Sequence, residues 1–302
     1  MIPTSTVLWI FLSCLIRQAH GSSASPSDSA KLIEARRLVV EASTALAEKD
    51  CAKAAGLYAR AVDAGAMSST TSYNVACCFA LQGRADDAFQ YLDFAIEMGW
   101  TDVEKLNEDP DIESLRKDDH WSGATARCAA RRDEFRKSLG NAELHDELMR
   151  RMKIDQAARN ADPIRVEAMA KIDADNTAWM KTVLEKHGWP GFALVDRDGA
   201  QAAWLLVQHA SADVVFQRRC LELIVAAHEK GDVSASDVAY LTDRVLVLEG
   251  KPQRYGTQFD STDGVLRPFP IEDEAGVDER RAGMGLEPMA AYTEKMRALD
   301  HK

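Results

Sequence analysis

Between Leu38 and Trp100 the chain repeats itself every 34 residues, and nothing else in it restricts the fold so tightly. Ala42 recurs as Ala76, Ala54 as Ala88, Ala61 as Ala95 and Gly65 as Gly99. Leu46 lines up with Ala80, Leu57 with Tyr91 and Tyr58 with Leu92. Small residues at fixed places with larger apolar ones between them, at this period, are the signature of stacked helical hairpins. The small side chains sit where helix axes must approach closely. The spacing predicts two hairpins, the first broken at Glu48-Lys49-Asp50 and the second at Gln82-Gly83-Arg84.

These residues resemble the tetratricopeptide repeat family. The resemblance puts Ala42, Ala54, Tyr58 and Ala61 at the signature positions of one repeat and Ala76, Ala88, Leu92 and Ala95 at those of the next. Two departures stand out: no aromatic residue early in each repeat (Ser72 in the second), and Ala66 and Trp100 where a closing proline is usual. The resemblance implies a groove that holds a protein or peptide partner. It implies no reaction.

The chain has 302 residues, enough for two domains, and its 46% hydrophobic and 28% charged shares are ordinary for a globular protein. The net charge of −11 argues against sequence-independent nucleic-acid binding, which draws its affinity from Lys and Arg. It argues equally against electrostatic docking on anionic lipid. Val7–Ile16 is an apolar stretch too short to span a bilayer, and Ala19-His20-Gly21 then offers small residues where a signal peptidase reads. The expectation is a leader over 1–21, cleaved before Ser22, an extracytoplasmic (periplasmic or secreted) mature protein without a membrane span, and a Ser-rich spacer over 22–29.

Without Cys14 the mature chain keeps Cys51, Cys77, Cys78, Cys128 and Cys220. An odd number without C-x-x-C spacing is no disulfide framework, so they read as small core residues, with a Cys51–Cys78 bridge as the alternative.

The expected fold class is all-α: tetratricopeptide-like hairpins with capping helices over 30–140, then a helical globular domain over 141–302. Asp109-Pro110 marks a helix start and Gly140-Asn141 a stop. Beyond it, helical stripes cover 143–160, a segment from Pro163 with a break or a new cap at Asp175–Thr177, the almost wholly apolar 201–210, then 213–230 and 238–249. Residues 253–275 read as loop, with short helices over 277–283 and 287–299, and Phe192–Val195 is the one possible strand.

The second half carries the phrases DQAAR (155–159), GWP (188–190), WLLVQHA (204–210), YLTDRVL (240–246) and PQRYGTQ (252–258). Together these resemble a bacterial domain family of unknown function, which supplies no activity, cofactor or catalytic residue. The side chains must speak for themselves. Gln208 and His209 end an otherwise apolar helix and must be hydrogen-bonded or solvated: either a satisfied core pair or part of a pocket in which His209 moves protons. Asp243 and Arg244 flank a buried stripe, Arg244 within reach of Tyr240, and Asp243 could orient a histidine, anchor a loop or form an ion pair. Tyr255 and Gln258 lie in a loop suited to ligand contact or to packing on its own domain. Trp204 completes the candidate pocket. Asp155 and Arg159, one turn apart, read as a simple pair, and Asp196-Arg197-Asp198-Gly199 as a plain turn lacking the oxygens of a calcium loop.

No phosphate-binding loop, dinucleotide glycine triplet, nucleophile elbow or zinc-protease motif is present, so no metal or cofactor is expected. Three readings compete: a scaffold or peptide-binding protein, a metal-independent hydrolase or transferase centred on His209 and Asp243, and a purely structural C-terminal domain that caps the solenoid. The first follows from the repeat. The second requires those two side chains to meet.

Overall fold

The computed structural model describes residues 26–66, 68–161, 163, 165–261 and 265–300. The expected leader lies outside them, as do residues 22–25 of the spacer. The described chain is all-α apart from one pair of two-residue strands. It divides into two compact units, the first ending at Ser138 and the second starting at Leu139. No helix of the described residues is long and apolar enough to cross a membrane.

The first unit contains α1 (Pro26–Ala47), α2 (Cys51–Asp63), α3 (Ser69–Leu81), α4 (Ala85–Glu97), α5 (Val103–Glu108), a 3₁₀ segment (Pro110–Lys117) and α6 (Trp121–Ser138). Helix α1 starts four residues before the expected Ala30, taking in the end of the Ser-rich stretch. The next two starts have a local cause: the Asp50 carboxylate accepts from the Lys53 N–H and the Ser68 hydroxyl from the Thr71 N–H, each at 3.1 Å.

The period reappears as geometry. Ala42, Ala54, Ala61 and their counterparts Ala76, Ala88 and Ala95 are all fully buried. Both hairpins close alike: Ala66 N–H donates to Ala61 O at 2.8 Å, and Trp100 N–H to Ala95 O at 2.8 Å. These closures need a left-handed residue, supplied by Gly65 (φ +95°) and Gly99 (φ +97°). The turns inside the hairpins match as well, with Gly83 at φ +72° and Lys49, 34 residues earlier, forced to φ +62°. Tyr73 supplies an aromatic anchor at the next position after Ser72, stacked on Trp100 with ring centres 4.0 Å apart. All five cysteines from Cys51 onward are free thiols, four of them buried.

The second unit comprises α7 (Ala142–Arg159), α8 (Val166–His187), α9 (Phe192–His209), α10 (Val214–His228), α11 (Ala235–Leu248), β1 (Phe259–Asp260), β2 (Arg267–Pro268), α12 (Val277–Gly283) and α13 (Met289–Asp300). The strands pair antiparallel inside the expected loop, Phe259 opposite Pro268. The Asp175–Thr177 break does not occur. Thr177 instead returns its hydroxyl to the Asp173 carbonyl at 2.7 Å and α8 runs on. Phe192–Val195 is not a strand but the first turn of α9, fixed by Asp232, which takes the Phe192 and Ala193 N–H groups through its backbone and side-chain oxygens. A kink at Val195 and Asp196 separates that turn from the apolar length of the helix. Asp196 stands at φ +54°, ψ −177°, a conformation that costs a non-glycine residue about 1–3 kcal/mol.

Candidate functional site

The apolar length of α9 ends in the polar pair Gln208-His209, and side chains from α7, α8, α10 and α11 gather around that end. Asp155 and Arg159 come from the last turns of α7, spaced so that both share one face. The Asp155 carboxylate is fully buried. It lies 2.9 Å from His209 Nδ1, accepts the Gln156 amide at 2.8 Å and pairs with Arg159 at 3.2 Å. Arg159 is the hub: its Nη2 also bridges to Asp173 on α8, and its Nε lies 2.9 Å from His209 Nδ1.

A second arginine, the buried Arg244 on α11, donates to the Gln208 carbonyl at 3.2 Å. Gln217 on α10 donates to the same carbonyl at 3.2 Å and to Val207 O at 2.8 Å, covering two of the orphan carbonyls that end a helix.

Burial and charge set the protonation states. Burial holds the His209 imidazole below its ordinary value, and the positive Arg159 and Arg244 push the same way against the Asp155 hydrogen bond, so the ring is neutral at pH 7. Burial works to raise Asp155, but the His209 bond and charge, Arg159 and the Gln156 amide overcome it and keep the carboxyl below its usual range. Asp173 goes the other way: burial, with the Asp155 charge adding to it and Arg159 opposing, pushes it up to about 6. Burial and the neighbouring Arg159 bring Arg244 down to about 9, still protonated at neutral pH. Two carboxylates of unequal acidity, a neutral imidazole and two guanidiniums can hold a polar ligand or position a proton.

Not all the candidates from sequence meet here. Gln208, His209 and Arg244 do. Asp243 does not: its buried carboxylate accepts the N–H groups of Arg254 (2.7 Å), Tyr255 (3.0 Å) and Thr257 (2.9 Å) and the Thr257 hydroxyl (3.0 Å). The expected His209–Asp243 pair is therefore corrected to His209–Asp155, with Asp243 the anchor of the loop over 253–258. Burial raises the Asp243 carboxyl while those four donors resist. Arg244 reaches the carbonyl at the end of α9.

Tyr240 sits edge-on between Trp204 (6.2 Å) and Tyr292 (6.3 Å), and Trp204 donates to Asp237 O at 3.0 Å, so these aromatics are core. Tyr255 is half-buried, with its carbonyl taken by Arg281 at 2.5 Å, and Gln258 is buried beneath the loop with its amide on Thr257 at 2.9 Å. Asp173 had no sequence signal. Asp155 and Arg159 had one, since both fall in the DQAAR phrase, but as a simple pair one turn apart they gave no hint of the larger cluster.

A model of a family described as "Family of unknown function (DUF6624)" matches residues 136–301, more than half of the chain. A chloroplastic protein of Arabidopsis thaliana is 38% identical over 50 residues, 17% of this chain and 15% of that protein's own length. No solved structure matches.

Proposed function

Because the chain belongs to that DUF6624 family of unknown function, its activity has to be argued from its own residues, and we propose that it is an exported interaction protein. In this reading the first unit is a tetratricopeptide-type array that holds a protein or peptide partner, and the family domain is a second, separately built module. One observation carries the proposal: residues 34 apart share burial, turn conformation and closing hydrogen bonds, as a modular binding array requires. The second hairpin also presents a row of aromatic rings, Phe79, Tyr91 and Phe94, with centres 5.4 and 5.9 Å apart, capped by Arg84 over Phe79 at 4.4 Å. Phe79 and Tyr91 are half-buried and Phe94 is 37% exposed, the kind of flat, stiff surface that serves as an interface anchor.

The test uses the full chain as bait in an extract of its source. A specific partner is expected to lose at least about tenfold in retention to the Tyr91→Glu/Phe94→Glu variant and to be unaffected by Asp173→Asn. Equal retention by the aromatic variant overturns the binding surface. Export is checked separately by sequencing the amino terminus of the mature chain, expected to begin at Ser22.

A further inference from the structure

The three donor atoms at the end of α9 have a geometry that ion pairing alone does not account for. Asp155, Asp173 and His209 each place one ligand atom within 4.8 Å of the others. The Arg159 guanidinium lies among them. His209 Nδ1 faces the Arg159 N–H at 2.9 Å and an Asp155 oxygen at 2.9 Å. One ring nitrogen cannot accept from the first and donate to the second at once. An imidazole nitrogen set between two carboxylates, with a cation already against it, is the arrangement in which a histidine serves a metal.

A separate observation concerns the residue just before His209 in α9. Gln208 is 0% exposed, and neither its amide oxygen nor its amide nitrogen has a partner. Gln217, which grips the Gln208 carbonyl, is also 0% exposed, and its Oε1 is likewise unpartnered. Buried amides in this condition call for a polar occupant.

We propose that Asp155, Asp173 and His209 form a divalent transition-metal site, for which Arg159 is the internal cation that gives way when the ion enters. Arg159 is bonded to both carboxylates, so a doubly charged ion that takes its place restores the positive charge between them. The Arg159 side chain keeps 18% of its surface exposed, so it has a route to solvent. One imidazole nitrogen and two carboxylate oxygens suit Zn²⁺ or Mn²⁺ with water completing the shell, and suit Mg²⁺ and Ca²⁺ poorly, since these favour all-oxygen sets. The site goes beyond the interaction reading and does not depend on it.

Calorimetric titration of the metal-free full chain with Zn²⁺ tests the site. One ion per chain is expected, with Mg²⁺ far weaker. Asp173→Asn and His209→Gln should weaken Zn²⁺ by at least about tenfold, and Arg159→Gln should tighten it by about as much, because it removes the competing cation. That last change distinguishes a metal site from a structural ion pair, in which losing Arg159 gains nothing. Absent binding, or equal affinity in wild type and Asp173→Asn, overturns the proposal. Should Arg159→Gln fail to fold by circular dichroism, X-ray absorption of the Zn²⁺-loaded wild type decides. One imidazole among oxygens supports the site, and a sulfur shell or several imidazoles refutes it.

Discussion

The two units bury different materials. In the first, among the described residues, the buried polar side chains are few and uncharged, Thr71, Ser72 and the hydroxyls of Tyr58 and Tyr73, and the helices meet through alanines. In the second, Asp155, His209, Gln217, Asp243, Arg244 and Arg281 are all interior. An alanine seam is satisfied by shape, and any close helix will serve. A buried carboxylate is satisfied only by specific partners, and in this unit some of them, His209 for Asp155 and the loop over 253–258 for Asp243, lie outside the carboxylate's own helix. One half is held by volume and the other by partnership, so substitutions should injure them differently.

The largest injury is expected at Asp243. Its removal in Asp243→Ala leaves three loop N–H groups without an acceptor and should cost about 3–5 kcal/mol in urea unfolding. A loss under about 1 kcal/mol would mean that the loop over 253–258 holds itself, and partnership would not be the organising force there. In the first unit, Ala54→Leu and Ala88→Leu add volume to equivalent seams and should each cost about 1–3 kcal/mol. A neutral result at one site alone would end the equivalence of the two hairpins.

Acid–base behaviour sharpens the contrast further. Native Asp173 keeps its proton up to about pH 6, whereas an unfolded aspartate releases it near pH 4. The native state thus binds more protons in between, and this group's contribution to stability falls as pH rises from about 4 to about 6. After solvent screening the loss is about 1–2 kcal/mol. His209 acts in the opposite sense, since a lowered histidine makes stability rise with pH. The measurement is therefore the difference between the stability–pH curves of wild type and Asp173→Asn, and parallel curves would contradict it. The smallest effect is a gain: Lys49→Gly relieves a left-handed lysine where the second hairpin has Gly83. It should stabilise by about 0.5 kcal/mol in thermal unfolding, after loss of the exposed ion pair with Asp111.

The same contrast explains what could be read from sequence. The hairpins, their breaks and their buried alanines were legible because each depends on residues within one period. Most helices of the family domain were legible from their stripes and caps, as with Asp213 before α10 and Ser234 before α11. Helix α8 was misread because Asp175-Asn176-Thr177 resembles a cap, and only the structure sends the Thr177 hydroxyl back to the previous turn. The site was half legible. His209 and Gln208 announced themselves by being polar at the end of an apolar run. Their partner Asp155 lies 54 residues away and Asp173 on another helix, and no local pattern encodes that meeting. Of the three roles open to Asp243, orienting a histidine, anchoring a loop or pairing with a cation, the structure selects the loop, since its acceptor role is settled by backbone N–H groups that carry no residue signature.

The Asp243 anchor has a consequence for the order of assembly. The loop that it ties is also gripped from further along the chain, by Arg281 on the Tyr255 carbonyl and by the Tyr292 hydroxyl on the Thr257 carbonyl at 3.3 Å. On the ribosome α11 and its carboxylate emerge first and can gather the nascent loop at once. The clasp then waits for α13, so a stalled chain ending before Arg281 would carry a gathered but unlocked segment, the natural target of a quality-control protease.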